Sequence, residues 1–182
     1  MRVRIALSML ATLVATAAAP ALAALPVGAA APDFTTQAAV GGKEFSFALA
    51  TALKKGPVVL YFFPAAFSKG CTIEAHAFAE AAAEFKKNGA TLIGLSADPI
   101  DKLAKFSVQD CRNKFPVGVA APNMVSGYDV LFGAGKSFTN RTSYVIAPNG
   151  KIIYALNAME PLGHVSGTLD AVKKYKAARR RG

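Results

Sequence analysis

The chain is poor in the side chains that bind metals or cross-link a fold. Among its 182 residues it has two cysteines and two histidines. Zinc and copper sites use such residues at short, recurring spacings, and no recognised spacing occurs here. We therefore expect no metal and no cofactor at these four positions, Cys71, His76, Cys111 and His164.

Long apolar runs are confined to the start of the chain. A basic start, Met1–Arg4, is followed by an apolar stretch and by the small residues Ala21 and Ala23, where a signal peptidase would cut. This pattern predicts a signal peptide, residues 1–23, and one mature domain, residues 24–182. The stretch is too short and too rich in alanine and threonine for a retained membrane helix. We expect an exported, periplasmic protein with no stable membrane insertion.

Acidic residues are also scarce. Eleven Asp and Glu stand against 21 Lys and Arg, which gives a net charge of +10. Much of the excess lies between Lys173 and Arg181, and such a run could bind nucleic acid or an anionic membrane. An exported protein meets little nucleic acid, however, and cations also suit the C-terminal end of a helix. We therefore interpret the tail as a solvated helix end and expect no nucleic-acid partner.

Strand and helix patterns alternate through the remaining sequence. Apolar runs predict buried strands, periodic apolar positions predict helices between them, and glycine-containing turns predict hairpins near both ends of the domain. This order predicts an α/β sandwich with a central mixed β-sheet flanked by helices. The predicted elements are strands 57–63, 90–96 and 115–120, helices 72–87, 98–112 and 125–131, a last helix with Val165, Leu169 and Val172 inward, and hairpins around Gly41-Gly42 and Pro148-Asn149-Gly150.

Cys71 lies where a predicted buried strand ends and a predicted helix begins. The positive end of a helix dipole favours the thiolate, which is the nucleophilic form of cysteine. Gly70 allows close approach of the backbone, Ser68 adds a hydroxyl, and Pro64 stiffens the strand exit. An unpaired cysteine is most often a small buried hydrophobe, but these neighbours indicate a reactive thiol.

Two cysteines in an exported protein also suggest a disulfide. A structural bond between Cys71 and Cys111 would close a loop of about forty residues and stabilise the fold by about 3–4 kcal/mol. A structural disulfide would not explain why the residues just before Cys71 include a hydroxyl, on Ser68, and a glycine, Gly70. The residues alone leave a structural pair and a reactive thiol both open.

The residues around Cys71 match a known pattern. Pro64-x-x-x-Ser68-x-x-Cys71 resembles the Pro-x-x-x-Thr/Ser-x-x-Cys signature of peroxiredoxins, which are thiol peroxidases of the thioredoxin-like fold. The string from Tyr61 to Glu74 resembles the bacterioferritin-comigratory, or peroxiredoxin Q, branch. The resemblance covers nearly all of the mature domain and implies a thioredoxin-like sandwich. Three further segments are similar to those of the family, in the same order: Ala31–Phe34, Leu95–Asp98 and Arg141–Ile146.

The resemblance implies a role for each matching residue. Cys71 would be the peroxidatic cysteine, whose thiolate attacks the peroxide and becomes a sulfenic acid. Ser68, where most members have threonine, would hydrogen-bond the peroxide, and Pro64 would shield the thiolate from water. Arg141 would hold the thiolate and the charge that develops as the O–O bond breaks. Glu74 would orient polar groups near the site.

The resolving cysteine departs from the commonest pattern of the branch, because the position five residues after Cys71 is His76. Cys111 matches a position that other members use, which implies an atypical 2-Cys mechanism with an intramolecular Cys71–Cys111 disulfide. Such a bond needs Cα atoms within about 7 Å. If the two cysteines lie farther apart than this at rest, the first helical turn at Cys71 would have to unwind before they can bond. If Cys111 is only a buried residue, an external thiol would resolve the enzyme.

The implied reaction reduces hydrogen peroxide or organic hydroperoxides. The implied partners are the peroxide and a thioredoxin-like or other dithiol reductant, and members of the branch are often monomers, so we expect a monomer. The main alternative is an exported thiol–disulfide oxidoreductase of the thioredoxin type. That chemistry uses Cys-x-x-Cys, and the third residue after Cys71 here is Glu74.

Overall fold

The structure is a computed structural model that describes residues 24–133 and 138–181. The predicted signal peptide, residues 1–23, lies outside the described residues and stays a prediction. In chain order the described strands are β1 Thr35–Val40, β2 Lys43–Ala48, β3 Val58–Phe62, β4 Thr91–Ser96, β5 Val117–Val119, β6 Thr142–Ile146 and β7 Ile152–Asn157. The described helices are α1 Leu49–Leu53, α2 Lys69–Lys87, α3 Ile100–Gln109, α4 Pro122–Gly127 and α5 Leu162–Arg179.

The strands form one mixed sheet in the order β2-β1-β5-β4-β3-β6-β7. The pairs β3–β4 and β4–β5 are parallel, whereas the other neighbours are antiparallel. Parallel neighbours need a crossover between them, and α2 and α3 supply it. The predicted α/β sandwich with a central mixed sheet is confirmed.

Successive residues of β3 face opposite sides of the sheet, as the two-residue period of a strand requires. Leu60 packs in one core, together with Met124 of α4. Tyr61 packs in the other, together with Phe78 of α2 and Phe106 of α3. Because helices cover both faces, all five residues of β3 are buried, which explains the continuous apolar run in the sequence.

Both predicted hairpins are present. Gly41 and Gly42 have φ values of +58° and +76° in the turn between β1 and β2. Two-residue turns of this kind need a positive φ at both residues, which glycine adopts more easily than residues with a side chain. Gly150, with φ +76°, lies in the turn between β6 and β7. The glycines seen in the sequence therefore mark the turns correctly.

Three helices have boundaries that differ from the sequence prediction. α2 starts at Lys69 instead of residue 72, so Cys71 lies inside its first turn. α3 ends at Gln109 instead of residue 112, since the backbone turns left-handed after it. The predicted helix 125–131 was wrong in position, because α4 begins at Pro122, whose ring favours the first helical position.

One residue of the basic tail contacts another helix. The Lys176 ammonium donates a hydrogen bond to the carbonyl oxygen of Lys87, at 2.7 Å, and so binds the C-terminal end of α2. Val172 is buried as predicted, while Val165 is only partly buried beside the buried His164. Nowhere in residues 24–133 and 138–181 does a helix combine the length and apolarity that crossing a bilayer requires.

Replacing Gly94 by alanine should destabilise the fold. A Cβ atom at Gly94 would lie 2.5 Å from Cζ of Tyr61, whose ring covers β4 at this point. Overpacking of this kind costs about 1–3 kcal/mol, so we expect Gly94→Ala to lower the free energy of unfolding by that amount in chemical denaturation. The control is Gly127→Ala, where the new Cβ would meet Pro32 at an ordinary 3.5 Å. Equal stability of Gly94→Ala and the wild type would contradict this packing.

Candidate active site

The loop that joins β3 to α2 is held by Asp98, at the end of β4. The Ala66 N–H donates to Asp98 Oδ2 at 2.6 Å, and the Ser96 hydroxyl donates to the same oxygen at 2.7 Å. Lys102 binds the other carboxylate oxygen at 2.6 Å. Burial opposes ionisation, but these hydrogen bonds together hold the pKa of Asp98 below its ordinary value. A charged Asp98 therefore fixes the loop at neutral pH.

Phe67 has a left-handed backbone, with φ +67°. This conformation costs about 1–2 kcal/mol for a residue with a side chain, so the surroundings must hold it. The ring packs edge-on against Phe106 of α3, with centroids 5.2 Å apart. The loop thus reverses sharply at Phe67 and delivers Ser68 in an extended conformation as the residue that precedes α2.

Cys71 lies in the first turn of α2, only 1% exposed. The N–H groups of a first helical turn have no partner within the helix and favour a negative charge. Arg141 Nη2 lies 3.6 Å from Cys71 Sγ. A Cβ atom at Gly70 would come within 3.0 Å of that same nitrogen, so the glycine makes room for the guanidinium.

Arg141 is buried, 3% exposed, immediately before β6. Its Nη1 donates to Glu74 Oε2, and its Nε donates to the carbonyl oxygen of Met159 at 3.1 Å. The neighbouring Thr139 donates to the carbonyl oxygen of Phe63 at 2.7 Å and ties this segment to the end of β3. The guanidinium is therefore directed at Cys71 from a position fixed on three sides.

Glu74 lies one turn after Cys71 on α2 and is completely buried. Burial raises the pKa of Glu74 to about 8, although the charge and the hydrogen bond of Arg141 act in the opposite direction. Its second oxygen, Oε1, has no hydrogen-bond partner among the described residues. A carboxyl group in this position holds a proton more readily than an exposed glutamate does.

One cation thus serves two acidic groups. If Cys71 and Glu74 both ionise, Arg141 can neutralise only one of the two charges, and a net negative charge stays buried. If Glu74 keeps its proton, a Cys71 thiolate and Arg141 balance each other. The raised pKa of Glu74 therefore reduces the number of negative charges that Arg141 has to balance.

Cys111 lies just beyond α3 and is completely buried. It belongs to the same apolar core as Cys71, and both cysteines are free thiols that are not bonded to each other. Burial, with a smaller contribution from the negative charge of Asp110, raises the pKa of the Cys111 thiol well above its ordinary value. At rest Cys111 is therefore a protected thiol and a weak nucleophile.

The structure brings three of the predicted site residues into direct contact: Cys71, Glu74 and Arg141. Ser68 precedes α2 with an exposed side chain that makes no capping hydrogen bond, so its hydroxyl is available to a ligand. Pro64 is half-buried at the start of the loop. The predicted sixth residue, Cys111, lies in the segment that follows α3, in the same apolar core as Cys71.

Sequence reasoning missed the residues that position these groups. Asp98 appeared in the sequence only as a helix-start signal. Thr139 and His164 carried no local signal, since their partners are distant in the chain. His164 is buried with Nδ1 2.8 Å from the Ser143 hydroxyl and Nε2 2.8 Å from the Ala158 carbonyl oxygen, and it thereby holds the segment whose Met159 carbonyl accepts from Arg141.

Comparison with known proteins agrees with this geometry. Residues 27–155 match the model of the AhpC/TSA family. The chain belongs to this family. A Mycobacterium tuberculosis protein named as a peroxiredoxin is 37% identical over 113 residues, which cover 60% of this chain and 73% of that protein. The chloroplastic peroxiredoxin Q of Arabidopsis thaliana is 36% identical over 157 residues, 80% of this chain and 66% of that protein.

Solved peroxiredoxins share the fold. The crystal structure of peroxidoxin BcpB from Mycobacterium tuberculosis matches with a TM-score of 0.73 and 29% identity, over 81% of this chain and 96% of that one. The reduced 2-Cys peroxiredoxin of Plasmodium vivax has the same TM-score at 23% identity, over 85% of this chain and 98% of that one. The predicted membership in the peroxiredoxin Q-like branch and the thioredoxin-like fold are confirmed, and the chain is a peroxidase of the oxidoreductase class.

The raised pKa of Glu74 predicts a pH-dependent stability. The unfolded chain releases this proton near pH 4.5, whereas the folded chain keeps it up to about pH 8. Glu74 therefore contributes stability that is complete below about pH 4.5 and is lost as the pH rises towards 8. We expect Glu74→Gln to flatten the decline of unfolding free energy between about pH 5 and 8, measured by denaturant titration.

The matched control is Glu84→Gln, a more exposed glutamate on the same helix. It should leave the pH profile as in the wild type. A wild-type profile that rises with pH across this interval, or that Glu74→Gln leaves unchanged, would contradict the raised pKa.

Proposed function

We propose that this protein reduces hydroperoxides through a sulfenic acid on Cys71 and resolves that acid with Cys111. The observation that carries the first step is the buried Arg141 guanidinium 3.6 Å from Cys71 Sγ, at the N-terminal end of α2. A fixed cation and free N–H groups suit a reaction in which charge develops on the leaving oxygen. Family membership supports the same chemistry.

In the first step the Cys71 thiolate attacks the terminal oxygen of ROOH. A sulfur–oxygen bond forms, the O–O bond breaks, and the leaving RO⁻ takes a proton from water to give ROH. Arg141 stabilises the charge on both the attacking sulfur and the leaving oxygen. The exposed Ser68 hydroxyl donates a hydrogen bond to the peroxide, and Pro64 keeps water from the thiolate.

In the second step the Cys111 thiol attacks the Cys71 sulfenic acid. The products are a Cys71–Cys111 disulfide and one water, and a dithiol reductant then restores both thiols by exchange. Because Cys71 and Cys111 are both buried and not bonded to each other, the first turn of α2 and the segment after α3 must open for the two sulfurs to meet.

A second candidate for resolution is an external thiol acting on Cys71 alone. The complete burial of Cys111 and the raised pKa of its thiol favour this alternative. The thioredoxin-type oxidoreductase is less well supported, since Glu74, which occupies the position of the second cysteine in that motif, is buried against Arg141.

The reductant, the assembly and the compartment belong to the same proposal. We infer a thioredoxin-like dithiol protein as the electron donor, a monomer as the working form and the periplasm as the compartment. We infer a dithiol as the electron donor because the second step forms one disulfide, and its reduction requires two thiols. The monomer and the periplasm rest on the sequence resemblance and the signal-peptide pattern.

Cysteine variants test the proposed reaction. Cys71→Ser should reduce peroxide consumption to background, because no other described thiol lies against the guanidinium. Cys111→Ser should keep the first turnover but lose about tenfold or more in steady state with a protein dithiol, since its sulfenic acid persists. Competition kinetics and dimedone trapping with mass spectrometry measure the two steps.

Two outcomes would overturn the assignment. Full consumption by Cys71→Ser would exclude Cys71 as the attacking thiol. Full steady-state turnover by Cys111→Ser, with wild-type protein that forms no intramolecular disulfide, would establish the external thiol instead.

Export is tested by expressing the full chain in a bacterium with an outer membrane. We expect the periplasmic fraction to contain a protein whose intact mass is that of a chain beginning at Ala24. Ala23→Arg is the matched control, because signal peptidase requires a small residue before the cut, and it should retain the precursor. An uncleaved wild-type chain in the cytosolic fraction would contradict the signal-peptide prediction.

A further inference from the structure

Cys111 is flanked by two polar side-chain contacts to α2. On one side, His76 Nε2 lies 3.1 Å from Asp110 Oδ1. On the other side, Arg112 Nη1 lies 3.4 Å from Glu80 Oε1. His76 and Glu80 are four residues apart on α2 and therefore share one face of the helix. The two pairs thus join the helix that carries Cys71 to the residues on either side of Cys111.

The backbone at this point is not that of a regular element. Arg112 and Asn113 have φ values of +50° and +59°, in the left-handed region that side chains disfavour. Within the segment of residues 110–113, the N–H groups of Asp110 and Cys111 donate to the Phe106 carbonyl, and the N–H of Asn113 donates to the Ser107 carbonyl. A short segment that contains two left-handed residues and contacts α2 through its side chains is of the kind that opens locally without global unfolding.

Opening of this segment controls access to Cys111. In the closed form the thiol is completely buried, and burial and Asp110 raise its pKa. A buried, protonated thiol cannot attack a sulfenic acid at a useful rate. The fraction of time that the 110–113 segment spends open therefore limits the second step.

We propose that His76 and Glu80 are positioning residues that hold the 110–113 segment closed and thereby set the rate at which Cys111 resolves Cys71. The inference rests on the proposed function for its kinetic consequence, while the closure itself rests on the two contacts. Neither residue is among the groups that contact Cys71 Sγ or Arg141, so neither acts in the attack on peroxide.

The closure also decides between two fates of the Cys71 sulfenic acid. It condenses with Cys111 to a disulfide and water, or its sulfenate attacks a second ROOH to give a sulfinate and ROH. The second fate removes Cys71 from the cycle. A more firmly closed segment therefore yields more sulfinic acid at a given peroxide concentration.

The first measurement follows opening without the peroxidase reaction. In a Cys71→Ser background Cys111 is the one remaining thiol of the chain, so its alkylation by iodoacetamide reports exposure. Partly exposed ion pairs have modest strengths, so we expect His76→Ala or Glu80→Ala to raise the labelling rate about two- to fivefold. His76→Arg, with a permanent charge facing Asp110, should lower it.

The second measurement uses the protein with both cysteines. After one equivalent of peroxide, the disulfide should form about two- to fivefold faster in His76→Ala and Glu80→Ala, and more slowly in His76→Arg. Excess peroxide should give less sulfinic acid in the first two variants and more in the third, by mass spectrometry. The first-step rate should stay at the wild-type value in all three.

Glu84→Ala is the matched control, because Glu84 pairs with Lys87 on the same helix and neither partner flanks Cys111. Labelling and disulfide rates in His76→Ala and Glu80→Ala equal to those of Glu84→Ala would overturn the inference. Faster labelling without any disulfide would instead leave the closure standing and reject Cys111 as the resolving residue. Faster labelling with an unaltered rate of disulfide formation would reject the closure as the step that sets this rate, and would keep the proposed function.

Discussion

The contact between the buried guanidinium of Arg141 and the sulfur of Cys71 is the interaction on which the rest of the site depends. Arg141 approaches at 3.6 Å because Gly70 has no side chain in the way. It also carries the bond to Glu74 and is held from behind by the Met159 carbonyl. A single positive charge in this buried site faces two acidic groups, and burial raises the pKa of Glu74, which weakens the competition of its carboxyl group for that charge.

The sheet supplies the rigidity that this arrangement needs. β3 is buried on both faces and lies between β4 and β6. Its C-terminal end carries the Cys71 loop, Asp98 lies two residues after β4 and binds this loop, and β6 begins just after Arg141. Three neighbouring strands thus place the nucleophile, its loop anchor and its cation at one edge. Distances set by packed strands vary less than those set by loops.

The two cysteines differ in a way that composition cannot show. Cys71 is buried beside a cation, whereas Cys111 is buried among apolar side chains and next to the acidic Asp110. The first environment places a cation 3.6 Å from the sulfur, and the second raises the pKa of the Cys111 thiol. Two identical side chains in one core are thereby placed in different chemical surroundings.

Much of the fold and half of the site could be predicted from the sequence, because both depend on local patterns. The apolar run before Cys71 predicts β3, the glycine turns predict the hairpins, and the Pro64-to-Cys71 motif predicts the reactive helix start. Boundaries were less well predicted, since the left-handed Arg112 that follows α3 and the extended Ser68 before α2 are conformations imposed by packing. Only the tertiary structure decided the contacts between residues that are distant in the chain. Arg141 contacts Glu74, 67 residues away, and Cys71, 70 residues away. The burial of Cys111 was decided in the same way. Sequence periodicity determines which face of an element is buried, but the partner it meets there depends on how the whole sheet and its helices pack.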